Sequence, residues 1–230
     1  MRYRNWPGLF SMSPFKIVHP ALPPEQVERL RQAVVESPYL AANTLNYRFS
    51  GTRGFSVIFR REGLDRLWRQ FPDFSAYVEE ILHPKCNAFF LNPLVIARGS
   101  RVAPHVDRSL RSWTAPDEPP DPVRVVVLYL QVPEQLEGGR LILHGRRPLV
   151  EVVPAVNKLV LFRGYLRHEV TELGGAEEAG CGRISLVCEQ YRLPLGMVER
   201  IPEYEIRTKR PFEEFLQDEL SGRKPTNPDT

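Results

Sequence analysis

His105-Val106-Asp107 places an imidazole and a carboxylate two residues apart, so in an extended segment or tight turn both can converge on one cation. Alone the pair is a weak pattern, because many chains of this composition contain one by chance. A third donor, His168, lies about sixty residues downstream in the β-type run Leu166–Glu172. Two histidines and one carboxylate form a facial triad, which fills half of an octahedral iron(II) and leaves the other half open. Open positions of that kind can take a bidentate 2-oxo acid and then O2. Zinc accepts the same donors, so a hydrolytic use of the triad is also chemically allowed. Fifteen residues after His168 comes Arg183-Ile184-Ser185, opening the last β-type run. Residues 183 and 185 share one strand face, so guanidinium and hydroxyl can grip one carboxylate together. Arginine suits this better than lysine because its planar fork matches a carboxylate. A surface arginine at a strand start is the ordinary reading of Arg183; the triad upstream reverses that preference.

The other histidines read as structural. His19 sits beside Pro20 in an irregular stretch, His83 ends a helical pattern where a cation suits the helix dipole, and His144 ends a strand before Gly145.

The elements that must position these residues differ in period. In Pro24–Ser37 the apolar Val27, Leu30 and Val34 recur at helical spacing, and Leu64, Leu67, Trp68 and Phe71 do the same until Pro72-Asp73. Phe74, Tyr77, Val78 and Ile81 begin another helix, with Asp73 as its expected N-cap. From Cys86 the texture becomes short β-type runs: Cys86–Leu91, Leu94–Arg98, Val123–Val132, Arg140–His144, Leu149–Val153, Lys158–Phe162, Leu166–Glu172 and Arg183–Arg192. Asn92-Pro93, Gly138-Gly139, Gly145, Pro154, Gly164 and Gly174-Gly175 punctuate them. Short strands at this spacing, without helices between, predict a sandwich or rolled-up barrel. Val123–Val132 is apolar on both faces and is expected to be central. The expected organisation is a helical support over 1–85, a β core over 86–193, and an extension over 194–230. Within that extension Pro211–Leu220 is a short helix candidate, and the tail from Ser221 has a disordered composition. Trp113–Pro122, rich in proline and acid, follows the HxD segment and reads equally as part of a substrate lid or as a plain surface connection.

Length and composition set the outer bounds. With 230 residues the chain can bury one sizeable core. A net charge of +3 argues against a dedicated nucleic-acid or membrane-surface protein. Arg140, Arg146, Arg147, Arg163 and Arg167 read as solvated strand edges and loops. Three cysteines, Cys86, Cys181 and Cys188, include no CxxC pair and suggest neither a disulfide framework nor a structural zinc site. Cys188, in an apolar run, reads as core. With no signal-peptide pattern and no apolar run of membrane-spanning length, the expected setting is cytoplasmic.

Taken together, His105-Val106-Asp107, His168 and Arg183-Ile184-Ser185 resemble the iron(II)/2-oxoglutarate-dependent oxygenases, and more narrowly their prolyl 4-hydroxylase-like branch. Gly99 and Pro104 stand where that branch has a glycine six residues before, and a proline directly before, the first metal histidine. Arg124, Tyr129-Leu130 and Gly138-Gly139-Arg140-Leu141 match its Arg, Tyr-Leu and Gly-Gly-x-Leu landmarks. The resemblance runs from about Leu94 to Leu193, roughly half of the chain. It implies a mainly β fold with flanking helices (α+β), whose core is a double-stranded β-helix (jelly-roll). It further implies Fe(II) held by His105, Asp107 and His168, with 2-oxoglutarate and O2 as co-substrates and Arg183 and Ser185 on the distal carboxylate. The branch often carries tyrosines where this chain has Ile96 and Val102, so Tyr129 becomes the substitute contact. Prolyl hydroxylases usually anchor the co-substrate with lysine, so Arg183 weakens the case for a proline substrate. Retention of Asp107, which related halogenases replace, implies hydroxylation or another oxidation. Nucleic-acid demethylases carry a second arginine six residues after the first, where this chain has Glu189, which argues against that substrate. A peptide or protein and a small molecule both stay open as substrate, as does a non-catalytic β-barrel binding module.

Overall fold

The computed structural model describes residues 13–42, 52–114, 120–145, 148–175 and 182–209. Cys181, Arg146, Arg147, residues 115–119 of the lid candidate, the expected helix at Pro211–Leu220 and the tail from Ser221 lie outside them.

The N-terminal part holds strands β1 (Phe15–Val18), β2 (Ala41–Ala42), β3 (Thr52–Gly54) and β4 (Ser56–Arg60), with helices α1 (Pro24–Val35), α2 (Leu64–Gln70) and α3 (Ser75–Ile81). Then come β5 (Ala88–Ile96), β6 (Val102–His105), β7 (Arg124–Gln131), β8 (Leu136–Gly138), β9 (Leu141–His144) and β10 (Pro148–Val152). After these run β11 (Leu159–Arg163), β12 (Arg167–Val170), β13 (Leu173–Gly175), β14 (Arg183–Tyr191), helix α4 (Leu195–Val198) and β15 (Tyr204–Arg207). Nine strands form a major sheet, ordered β1-β11-β7-β14-β5-β3-β2, with β4 also on β5 and β15 on β4. A minor sheet of four, β10-β9-β12-β6, faces it, and β8 and β13 make a small ribbon. The architecture is a double-stranded β-helix with flanking helices.

Period-two alternation decides what lies on each side of the major sheet. Val126, Leu128 and Leu130 of β7, and Ile184, Leu186 and Cys188 of β14, join Leu30, Val34, Leu67, Phe74 and Tyr77 of the helical layer in one core cluster. Val125, Val127 and Tyr129 of β7 point the other way, into a cluster with Leu141, Leu143 and Val152 of the minor sheet. β7 is therefore central and buried on both faces, as its composition predicts. Arg124 belongs to the helix side: its guanidinium donates to the Ile81 carbonyl and, at 3.2 Å, to Gln190 Oε1. The helical layer is thus tied to the sheet by a buried cation as well as by apolar packing. Cys188 is fully buried, as expected of a core residue.

Three expectations are corrected. Asn92-Pro93 is not a turn but the middle of one nine-residue strand, β5. Its outer partners are interrupted there, β3 ending its register at Leu94 and β4 starting at Leu91, so Pro93 falls in the gap between them. Asn92 Nδ2 donates to the Phe55 carbonyl across that gap at 2.6 Å. Asp73 does not cap α3. Pro72 opens a 3₁₀ turn over Pro72–Phe74, which leaves Phe74 at the cap position without a side-chain bond. Finally, the first 85 residues supply strands as well as helices, and β15 from the C-terminal extension pairs β4. Among the described residues no helix is long and apolar enough to cross a membrane.

Two glycines of positive φ differ in what surrounds them. A Cβ on Gly138 would lie 2.0 Å from the Glu172 carbonyl oxygen, whereas one on Gly99 would meet open space. Gly99→Ala is expected to cost about 1 kcal/mol, the ordinary penalty of left-handed backbone. Gly138→Ala should cost more than about 2 kcal/mol, since backbone must also move. Urea denaturation of the two variants measures the difference.

Candidate metal centre

β6 and β12 are antiparallel neighbours in the minor sheet, and their register sets His168 directly opposite His105. The two rings lie 4.3 Å apart between centroids. Asp107 follows β6 by two residues, and its carboxylate reaches both rings, Oδ1 at 3.2 Å from His105 Nε2 and Oδ2 at 3.4 Å from His168 Nε2. Phe162 of β11 braces His168 edge-on at 4.9 Å. All three residues are at most 8% exposed. Their ligand atoms lie within 4.8 Å of one another, and this is the sole such grouping among the described residues.

Each ring is oriented by its far nitrogen. His105 Nδ1 lies 2.8 Å from the Ala103 carbonyl and His168 Nδ1 lies 3.0 Å from that of Leu166. A carbonyl only accepts, so each Nδ1 carries a proton, and each Nε2 faces Asp107 as a lone pair in the neutral ring and as a donor in the protonated one. This carbonyl–imidazole arrangement is how protein metal sites fix the tautomer of a ligand. Burial works to raise the Asp107 carboxyl, but the neighbouring His168 and His105 outweigh it and hold it below the usual carboxylate range. Burial also disfavours a charged His168, and its pKa lies below that of a free imidazole. For His105 the same burial is overcome by the hydrogen bond and charge of Asp107, which push its pKa up. Asp107 Oδ2 has no hydrogen-bond partner although it is buried. One ionised carboxylate with an unsatisfied oxygen and two converging Nε2 atoms fits a divalent cation such as iron(II).

A second group of buried polar atoms is carried by the major sheet. Arg183 is 2% exposed, and its Nη1 donates to the Gly139 carbonyl at 2.5 Å. The guanidinium lies 5.2 Å from the centre of the Tyr129 ring. Ser185 pairs with Tyr129 across β14 and β7. Arg183 Nε, Ser185 Oγ and Tyr129 Oη are all buried without a hydrogen-bond partner. Burial lowers the Arg183 pKa and raises that of Tyr129, and among the described residues no carboxylate pairs with the guanidinium. An uncompensated cation with an unsatisfied donor of its own and two more on neighbouring side chains is a costly arrangement that a bound carboxylate would relieve. Tyr129, Arg183 and Ser185 thus meet on the major sheet, and Tyr129 shares a cluster with Phe162, the ring that braces His168. His19, His83 and His144 lie elsewhere: His144 pairs with Glu169 at 2.8 Å, His83 Nδ1 accepts from the Lys85 amide, and His19 Nε2 meets the Val156 carbonyl.

Sequence reasoning missed one participant in this neighbourhood. Glu189 is 2% exposed and accepts from the hydroxyl and amide of Ser109 and from Tyr191 Oη. Burial first, and then the charge of Asp107, raise its pKa well above the ordinary carboxylate range. The available signal was parity: 183, 185 and 189 fall on one face of β14.

No protein-family model and no curated protein matches the chain. Solved structures do. One is a prolyl-4-hydroxylase from Pseudomonas putida, at TM-score 0.52 and 20% identity, over 80% of this chain and 96% of that one. Another is an oxidoreductase of the 2OG-Fe(II) oxygenase family from Burkholderia pseudomallei, at TM-score 0.51 and 17% identity, over 78% and 86%. IDO from Bacillus thuringiensis aligns at TM-score 0.54 and 13% identity, over 80% and 93%. The fold of this chain is the one those three solved structures share.

Substitution and acid test the centre separately. His168→Ala is expected to abolish the thermal stabilisation that saturating Mn(II) confers on the unaltered protein. Because the Asp107 carboxylate makes His105 hold its proton more tightly than an ordinary imidazole, Mn(II) affinity should begin to fall at a higher pH than ordinary imidazole protonation would cause as acid is added. Thermal shift with Mn(II) across a pH series checks both.

Proposed function

We propose that this protein is an iron(II)- and 2-oxoglutarate-dependent oxygenase, with His105, Asp107 and His168 as metal ligands and Arg183 as the anchor of the co-substrate. The observation that carries the reading is the buried Arg183 guanidinium, which no carboxylate partners among the described residues, with Ser185 Oγ and Tyr129 Oη unsatisfied around it. When bound, iron(II) chelated by a 2-oxo acid supplies O2 activation coupled to oxidative decarboxylation, which yields succinate and CO2 from 2-oxoglutarate.

The chain's own residues bind, orient and exclude water. Arg183 offers a fixed fork to the distal carboxylate, and the Gly139 carbonyl holds that fork in place. Tyr129 and Ser185 can each donate one further hydrogen bond to the same carboxylate. Held at that end, the 2-oxo group is directed toward the triad, and the pairing of β6 with β12 keeps both imidazoles aimed at one point. Buried apolar side chains of both sheets, Val125, Val127, Leu141, Leu143 and Phe162 among them, keep water out of the interior.

The outcome favoured by retention of Asp107 is hydroxylation of a C–H bond, on a peptide, protein or small molecule. Glu189 at the position where demethylases carry a second arginine argues against a nucleic-acid substrate. A zinc hydrolase would use the triad but give the buried arginine, serine and tyrosine no task.

Titration of 2-oxoglutarate into Mn(II)-saturated protein tests the assignment by calorimetry. Arg183→Ala should weaken 2-oxoglutarate binding by at least about 30-fold, equivalent to the roughly 2 kcal/mol lost when one side of a buried charge pair is removed. Mn(II) affinity of the same variant should hardly change. Unaltered 2-oxoglutarate binding in Arg183→Ala, or none by the parent protein, would contradict the proposal.

A further inference from the structure

Asp107 is the one ligand of the triad outside a strand. β6 ends at His105, and the chain then enters a turn in which the Arg111 amide bonds the Arg108 carbonyl and the Trp113 amide that of Leu110. No ladder therefore sets the position of the carboxylate, although it must meet two imidazoles held rigidly by β6 and β12. Something else has to hold this backbone.

Beside the exposed ion pair of Arg108 with Asp121, two buried contacts hold it, and both lie just after the ligand. Leu110 is fully buried in a cluster with Phe90, Tyr191, Leu193, Val198 and Ile201. Ser109 gives both of its donors to one side chain: its Oγ donates to Glu189 Oε1 at 2.5 Å and its amide to Glu189 Oε2 at 3.1 Å. Tyr191 Oη donates to the same carboxylate and lies 3.1 Å from the Ser109 amide nitrogen. The carboxylate is 2% exposed, and a buried acid is costly to keep. The proposed chemistry makes no use of it.

From this geometry we infer that Glu189 and Tyr191 are positioning residues, which clamp Ser109 and so hold the Asp107 carboxylate in its metal-ligating attitude. The inference rests on the metal-site reading above. It makes β14 a ruler with two marks: Arg183 near one end fixes the co-substrate, and Glu189, about 20 Å further along at strand rise, fixes the loop ligand. Outer partners of this kind are worth roughly a factor of 10 to 100 in metal affinity.

The test is Mn(II) affinity, read from the free-ion electron paramagnetic resonance signal, with thermal stability recorded for every variant. Glu189→Ala should bind Mn(II) about 10- to 100-fold more weakly. Glu189→Gln, which can accept from the Ser109 amide and Tyr191 while donating to Ser109 Oγ, should recover most of that loss. At saturating Mn(II), 2-oxoglutarate affinity should stay at the parent value in both. Parent-like Mn(II) affinity in Glu189→Ala would overturn the inference, as would a loss that follows thermal stability and is not recovered by glutamine. Should Glu189→Ala fail to fold, Ser109→Ala decides: it deletes only the Oγ bond, and weakened Mn(II) binding supports the clamp while unchanged binding overturns it. Failure of the parent protein to bind Mn(II) would overturn the metal-site reading as well, a result distinct from a parent that binds and a variant that matches it.

Discussion

A strand buried on both faces sends successive side chains into two different environments, and in β14 those are an apolar core and a polar chamber. Ile184, Leu186 and Cys188 are locked against the helical layer, so residues of the opposite parity have no freedom to turn away from the space between the sheets. Arg183, Ser185 and Glu189 are of that parity. A shift of one residue in the register of β14 would place its polar set in the helical core and its apolar set in the chamber. The helical layer, through Arg124 and the apolar packing around it, is thus what holds the polar side of the sheet in place.

The chamber gathers groups that are expensive to bury. Asp107 is stabilised as an anion by its two histidines, and Arg183 is oriented by the Gly139 carbonyl with no carboxylate paired to it among the described residues. Arg183 stands on the major sheet and Asp107 in the turn after β6, and no ion pair joins them. Such an arrangement is stable on its own only at a cost, and it is well matched to a ligand pair of complementary charge: a divalent cation on one side, a carboxylate on the other. A site of this kind is ready-formed, with little side-chain ordering left to do on binding.

Much of this was legible because the informative patterns were local. Helical spacing of Val27, Leu30 and Val34 marked α1, and unbroken apolarity marked β7 as central. His105-Val106-Asp107 and Arg183-Ile184-Ser185 were readable as short motifs, and His168 became meaningful through its distance from both. What sequence did not reveal depends on pairing between distant segments. Pro93 reads as a turn until β3 and β4 are seen to leave a gap beside it. β3 and β4 are short, and only their pairing with β5 defines them. Glu189 was noticed as a departure from a motif, whereas its role as an acceptor for Ser109 follows from an approach across 80 residues of chain.

The central claim is that one chamber binds iron(II) and 2-oxoglutarate together. Its most direct test is the visible absorption spectrum of the protein under strict exclusion of oxygen, with iron(II) added first and 2-oxoglutarate second. The account predicts a weak visible charge-transfer band that appears only on the second addition and saturates at one equivalent per chain. Absence of the band, with equilibrium dialysis also finding no retained 2-oxoglutarate, would contradict it.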